Sequence, residues 1–186
     1  MSAGFIRSAL AACVACLAIG TIHHAAAETQ VERGKYLVTI ASCGDCHTPG
    51  TLLGKPDMTR VLGGSDVGFA IPGEGVFVGP NLTRDKTTGL GSWTDKQIIT
   101  ALTTGVRPDG RVLAPVMPWR NLSHLTQSDA MAIVAYLKSL PPIQDKVPGP
   151  FGPTEKPSVF VMTALPPGVY AGLPQPAPGE AAPPPK

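Results

Sequence analysis

The sequence predicts an all-α domain that carries one small β-hairpin insertion and a Pro-rich C-terminal strap. Three observations lead there. Three segments repeat apolar residues at helical spacing and carry helix-capping residues. One short stretch between the first two of them is apolar on both sides of a Gly-rich turn. Of the 21 prolines, 14 fall within Pro141–Pro185, where regular helix or sheet cannot persist. The expected organisation is a removable leader over residues 1–27, a domain over 28–142, an extended strap over 143–173 packed on that domain, and a disordered Pro/Ala-rich tail over 174–186.

The leader comes first. Arg7 supplies a positive charge, Ala9 to Ile22 is apolar and small, and Ala25-Ala26-Ala27 matches a secretory cleavage site. Cleavage is expected after Ala27, leaving Glu28 as the first mature residue. The apolar stretch is short for a membrane span. Cys13 and Cys16 lie within it and leave with it; a lipid-bearing Cys13 is the rival reading of Leu10-Ala11-Ala12-Cys13.

The first domain helix is expected from about Val31 to Ser42, with Val31, Gly34, Val38 and Ala41 on one face. Between Thr48 and Trp93 lies a long Gly-rich stretch. Within it Phe69-Ala70-Ile71 and Val76-Phe77-Val78 flank Pro72-Gly73-Glu74-Gly75, which reads as a hairpin. The second helix opens on the capping box Thr94-Asp95-Lys96-Gln97, buries Ile98, Ala101 and Leu102, and stops at Gly105. The third is capped by Thr126, has Asp129 in its first turn, and repeats apolar residues at Ala130, Ile133, Val134 and Leu137 before Pro141 ends it. In the tail, Phe151, Val159, Phe160, Val161, Met162, Leu165 and Tyr170 are apolar enough to pack, which gives the strap.

One pentapeptide carries the chemistry: Cys43-Gly44-Asp45-Cys46-His47. C-x-x-C-H is the attachment signature of c-type haem. Two thiols three residues apart can reach both vinyl groups of one porphyrin, and the adjacent imidazole can turn onto the iron. A structural zinc site needs four ligands, and no second cysteine pair follows downstream. A thioredoxin-like pair wants a βαβ setting, which the Gly- and Pro-rich residues after His47 do not provide. The expected cofactor is therefore one covalent haem c, with His47 as one iron ligand.

The second ligand stays open among Met58, Met117, Met131, Met162 and His124. Thioether sulfur is a common sixth ligand in cytochromes c and raises the reduction potential. Met117 is favoured because Pro115 and Pro118 stiffen its loop, which joins two helices and can cross the haem face. Without the leader, Lys and Arg total 14 against 13 Asp and Glu, and haem propionates would tip the balance slightly negative. Nothing in this resembles a nucleic-acid footprint.

These motifs together resemble the class I cytochrome c family, and most closely the single-haem subunits and domains that accompany bacterial periplasmic dehydrogenases. The likeness rests on Arg33-Gly34-Lys35-Tyr36-Leu37, Cys43 to Thr48, Gly79-Pro80-Asn81-Leu82-Thr83, Gly89 to Thr94, Gly105-Val106-Arg107-Pro108-Asp109-Gly110, Val116 to Trp119, and Tyr136 to Pro141, and spans roughly Glu32 to Pro142. The resemblance implies helices around one covalent haem, thioethers at Cys43 and Cys46, and iron ligation by His47 and Met117. It implies that the Pro80 carbonyl accepts the His47 imidazole N–H, that Leu82 packs on the haem face, and that Trp93 lies near a propionate. Arg107 and Arg111 are candidates to neutralise propionates, and Gly34 is expected where the first helix crosses the third, facing Tyr136. Two departures from the smallest members stand out: the long stretch from His47 to Pro80, and the strap after Pro142. The hairpin in that stretch either covers a haem edge or contacts a partner.

The expected function is one-electron transfer, not catalysis. A periplasmic dehydrogenase is the expected electron donor, and a downstream cytochrome or oxidase of the respiratory chain the acceptor. Membrane association is expected only through a partner. The alternative is a haem enzyme or small-ligand sensor with an open distal site, peroxidase-like in its chemistry.

Overall fold

The computed structural model describes residues 28–174. The expected leader, its cleavage point, Cys13 and Cys16 lie outside the described residues, as does the tail beyond Pro174.

Helix α1 spans Gln30–Ile40 and is stopped from fraying by a capping box absent from the sequence reading. Thr29 Oγ1 accepts from Glu32 N at 3.1 Å, while Thr29 N donates to Glu32 Oε2 at 2.8 Å. Helix α5, Gln127–Ser139, is capped by Thr126, whose hydroxyl accepts from Asp129 N at 3.1 Å. These two helices pack closely because position 34 has no side chain. A Cβ there would overlap the Ala132 carbonyl and lie 2.8 Å from Tyr136 Cβ. Arg33 Nε donates to Asp129 Oδ1 at 2.9 Å beside the crossing. Helix α3, Asp95–Thr104, has the Thr94–Gln97 capping box and ends at Gly105 with φ 74°, the left-handed stop that favours glycine. Lys138 of α5 pairs with Asp95 in the first turn of α3. The core of Leu37, Val38, Leu62, Ile98, Ala132, Ile133, Val134 and Leu137 fills the space among the three helices. Two short helices lie near the ends of these: α2, Cys43–His47, and α4, Trp119–Leu122. A third, α6, covers Pro167–Ala171, and no helix among the described residues is long and apolar enough to cross a membrane.

The all-α expectation is wrong: the fold is mixed, with a three-stranded sheet beside the helices. Strands β1, Val67–Ile71, and β2, Gly75–Val78, form an antiparallel hairpin that pairs Phe69 with Phe77 and Ile71 with Gly75. The third strand comes from the tail. β3, Phe160–Met162, lies parallel to β1 and pairs Val67 with Phe160 and Phe69 with Met162. The physical reason is that an isolated two-stranded hairpin is marginal in water and leaves both edges unpaired. The tail closes both. On the far edge Val76 N donates to Phe151 O, and Phe151 N to Val76 O, each at 2.9 Å. Of the apolar residues that suggested a packed strap, Phe151 and Val159 are half-buried, but Phe160, Val161, Met162, Leu165 and Tyr170 are exposed.

The tail is tied to the domain before it reaches the sheet. Ile143 N donates to Thr83 Oγ1 at 3.1 Å, and Asp145 N to Thr88 Oγ1 at 3.1 Å. Arg60 donates to Asp57 Oδ2 at 2.7 Å and to Asp145 Oδ2 at 3.0 Å. Hydrogen bonds from Thr59 and from Arg60 lower the Asp57 carboxyl from 3.8 to about 2. A depressed carboxylate contributes its stabilisation above its unfolded value and loses it as pH falls through the folded one. The Asp57–Arg60 pair is therefore expected to hold above pH 3.8 and to weaken as pH falls toward 2. Carboxyl NMR titration of Asp57 checks this. An Asp57 that titrates at the ordinary carboxylate value would refute it.

Candidate haem-binding site

The site starts where α1 ends. Ser42, at φ 53°, reverses the chain so that α2 begins immediately with Cys43. One helical turn then sets Cys43 and Cys46 on neighbouring positions of one face, with His47 a full turn from Cys43. Both cysteines are half-buried, and burial is the main cause that pushes both thiols up. Among the described residues no cluster of three or more His, Cys, Asp or Glu is placed to hold a metal ion.

His47 is buried, and its Nδ1 lies 2.7 Å from the Pro80 carbonyl oxygen. A carbonyl can only accept, so Nδ1 carries the proton and Nε2 keeps its lone pair. Burial lowers the imidazole pKa, an effect opposed by the Pro80 bond, and so favours the neutral, ligating form. Pro80 reaches the ring because residue 79 is glycine. A Cβ at 79 would overlap the Cys46 carbonyl and come 3.4 Å from His47 Nδ1. Residues 62–65 fill the space alongside: Gly64 N donates to His47 O at 2.9 Å, Ser65 N to Gly79 O at 3.0 Å, and Leu62 N to Thr48 Oγ1 at 3.0 Å.

Sequence reasoning missed the residue that holds this segment, Asn81, which is 1% exposed. Its Oδ1 accepts from Thr83 N at 2.9 Å and from Thr83 Oγ1 at 2.8 Å, while its Nδ2 donates to Ile143 O at 2.6 Å. A buried amide must be satisfied; here the Thr83 bonds brace the 81–83 turn and the Ile143 bond ties it to the tail. The only signal in the sequence was an Asn directly after Pro80.

Leu82 and Trp93 are half-buried and pack, with Cys43, against the helical core. The Arg107 guanidinium lies 5.2 Å over the Trp93 ring. Residues 105–113 form a small antiparallel loop closed by Leu113 N donating to Gly105 O at 2.8 Å. Met117 stands on the next turn: Met117 N donates to Ala114 O at 2.9 Å, and Trp119 N to Met117 O at 2.8 Å. Met117 is half-buried. Its rivals lie in different settings. Met58 is 71% exposed, Met162 is exposed on β3, His124 is exposed after α4, and Met131 lines a groove with Gln30, Asp95 and Lys138 that includes no residue of α2.

These residues fit haem c. Two half-buried cysteines lie within a turn ahead of a buried imidazole that has one nitrogen fixed and the other available. A loop bearing Arg107 and Arg111 offers positive charge, and one buried donor, Trp119 Nε1, has no acceptor among the described residues.

A covalent-haem motif on this scaffold of helices defines a cytochrome c domain, and the comparisons agree. The cytochrome c family model matches residues 31–141, and the chain belongs to that family. The chain is 37% identical over 112 residues, 59% of its length, to the fructose dehydrogenase cytochrome subunit of Gluconobacter japonicus. It is 31% identical over 145 residues, 75% of its length, to the cytochrome c subunit of the quinone alcohol dehydrogenase of Gluconobacter oxydans (strain 621H). It is 40% identical over 118 residues, 61% of its length, to a diheme cytochrome c-type protein of Cereibacter sphaeroides. The matched segments make up only 22%, 28% and 36% of those three relatives.

Proposed function

We propose that the chain is a periplasmic one-electron carrier or cytochrome subunit with a single covalent haem c. In this reading it takes electrons from a dehydrogenase outside the cytoplasm and passes them to a downstream cytochrome or oxidase of the respiratory chain. The observation that supports it most is the buried His47 ring, held at 2.7 Å by Pro80 O in the tautomer that offers Nε2 to iron. Cytochrome subunits of fructose and alcohol dehydrogenases among the relatives support the donor class. A single haem follows from the single C-x-x-C-H in the sequence, although one relative is named diheme.

Bound haem supplies a reversible one-electron couple at iron. The protein residues do the rest. Cys43 and Cys46 would hold the porphyrin as thioethers, and Pro80 would orient His47 and raise its basicity as a ligand. Met117 would be the second residue to hold the iron, through its thioether sulfur, which would raise the potential. Leu82 and Trp93 exclude water from one wall.

Intact mass of the mature protein tests the count: one haem adduct and no titratable thiol are expected. In Met117→Ala the near-infrared band of Met-ligated ferric haem should vanish, the potential should fall, and added ligands should bind more readily. Two adducts would refute the single haem, and an unchanged band would transfer ligation to Met58 or His124. A high-spin ferric spectrum in the unaltered protein would favour the open-site enzyme or sensor instead.

A further inference from the structure

The tail after Pro142 has no part in the reading above, and it begins where the family match, residues 31–141, has ended. It lies against the domain in alternation. Ile143, Asp145 and Val147 are half-buried, while Gln144 and Lys146 are exposed. Such alternation marks an extended segment with one face packed. Two of the inward residues also carry hydrogen bonds. Ile143 N donates to Thr83 Oγ1, Asp145 N donates to Thr88 Oγ1, and Ile143 O accepts from Asn81 Nδ2 at 2.6 Å.

What that face packs on decides what it can do. The His47–Pro80 contact joins two backbone segments, 46–48 and 79–82, and residues 62–65 act as a spacer between them. Toward His47, Leu62 N donates to Thr48 Oγ1 and Gly64 N donates to His47 O. Toward Pro80, Ser65 N donates to Gly79 O, and Leu62 O accepts from Leu82 N at 2.8 Å. Leu62 makes its bonds at φ 58° while 1% exposed, a left-handed conformation that a leucine keeps only when its surroundings impose it. The tail packs on the next two residues of the spacer. A Cβ on Gly63 would come 3.2 Å from Ile143 Cγ2, and one on Gly64 would come 2.2 Å from Val147 Cγ2. Asn81, one residue past Pro80, is tied to the same tail through Ile143 O. The tail therefore bears on the spacer and on the acceptor side of the His47 contact.

We propose that Ile143 and Val147 are positioning residues for the iron ligand. They press the 62–65 spacer into place and so set the strength of the hydrogen bond from His47 Nδ1 to Pro80 O. That bond governs how strongly the imidazole donates to iron, and stronger donation favours the oxidised metal. The tail then acts on the reduction potential through the spacer. This inference rests on the haem c reading, and the test separates the two.

The test uses the whole haem-loaded protein carrying Ile143→Ala together with Val147→Ala, which empties both packing positions and leaves the backbone donors and acceptors in place. In the reduced, diamagnetic state the His47 Nδ1 proton should move upfield and exchange faster. The reduction potential should rise, because a weaker bond to Pro80 makes a poorer donor. Ile143→Val alone keeps the Cγ2 methyl and should retain the parent values, as should Gln144→Ala on the exposed side. A double variant that is less stable, yet has the parent's potential and ring-proton shift, would overturn the proposal and reduce the tail to a brace. If the double variant does not fold, native-state hydrogen exchange on the unaltered protein decides. The Gly64 and Ser65 amides should open together with those of Ile143 and Asp145, with the same free energy and denaturant dependence. Gly64 and Ser65 amides that stay protected while the tail opens would overturn it. A mass without covalent haem would instead sink the haem reading, and the exchange measurement would still decide whether the tail holds the spacer.

Discussion

Replacing Gly79 with alanine should strip the protein of most of its haem. The new Cβ would overlap the Cys46 carbonyl, a backbone atom of the attachment helix that cannot rotate away. Either α2 or the 79–82 segment must move, and either movement breaks the His47–Pro80 contact. Loss of such an outer partner ordinarily weakens a metal site by about 10–100-fold. The expected result is a low yield of covalent haem, with altered His ligation in the fraction that forms. Haem content per chain and the ferric spectrum measure it. Gly168→Ala is the control, since nothing lies within 4 Å of a Cβ at that position. A Gly79→Ala protein with full haem and an unchanged spectrum would show that the close approach is not needed.

Gly34→Ala should have a comparable effect on stability, by a different route. Alanine is the better helix former, by about 1 kcal/mol. Here that gain is outweighed, because the added carbon would overlap the Ala132 carbonyl and crowd Tyr136. Overpacking a rigid contact costs about 3 kcal/mol or somewhat more. The net expectation is a loss of about 2 kcal/mol or more. The α1–α5 crossing would open, straining the Arg33–Asp129 pair beside it. Urea unfolding with an unchanged slope would report it directly. A variant as stable as the parent would mean the two helices can slide apart freely.

Much of this architecture was legible because it is local. Thr94–Gln97 and Thr126 announce their helices, and Gly105 and Pro141 end them within a residue or two. The hairpin was legible because its turn residues sit between two apolar triplets. The third strand was not, since three exposed residues far downstream carry no periodicity that points to Val67 as their partner. A tail rich in proline argued against any strand, yet Phe160–Met162 contains none. At the site, the attachment motif was visible as a string of residues. The Pro80 contact came from family likeness, because no spacing rule brings residue 80 to residue 47. The crowding at Gly79 and the hub at Asn81 depend on backbone paths that meet only in three dimensions.

The way the tail closes the sheet sets an order of events during folding. Helices α1, α3 and α5 and the attachment motif all precede Pro141, so the helical core can assemble before the last segment docks. The hairpin cannot finish then, because Phe151 and Phe160 are the residues that cover its two edges. Contacts of such long separation form slowly, and bare strand edges invite pairing with other chains in the interval. A chain cut short before Phe160 would therefore keep the segments of the helical core and leave the β1 edge of the sheet bare. Truncated products of this gene would be expected to accumulate as aggregates and not as smaller working copies.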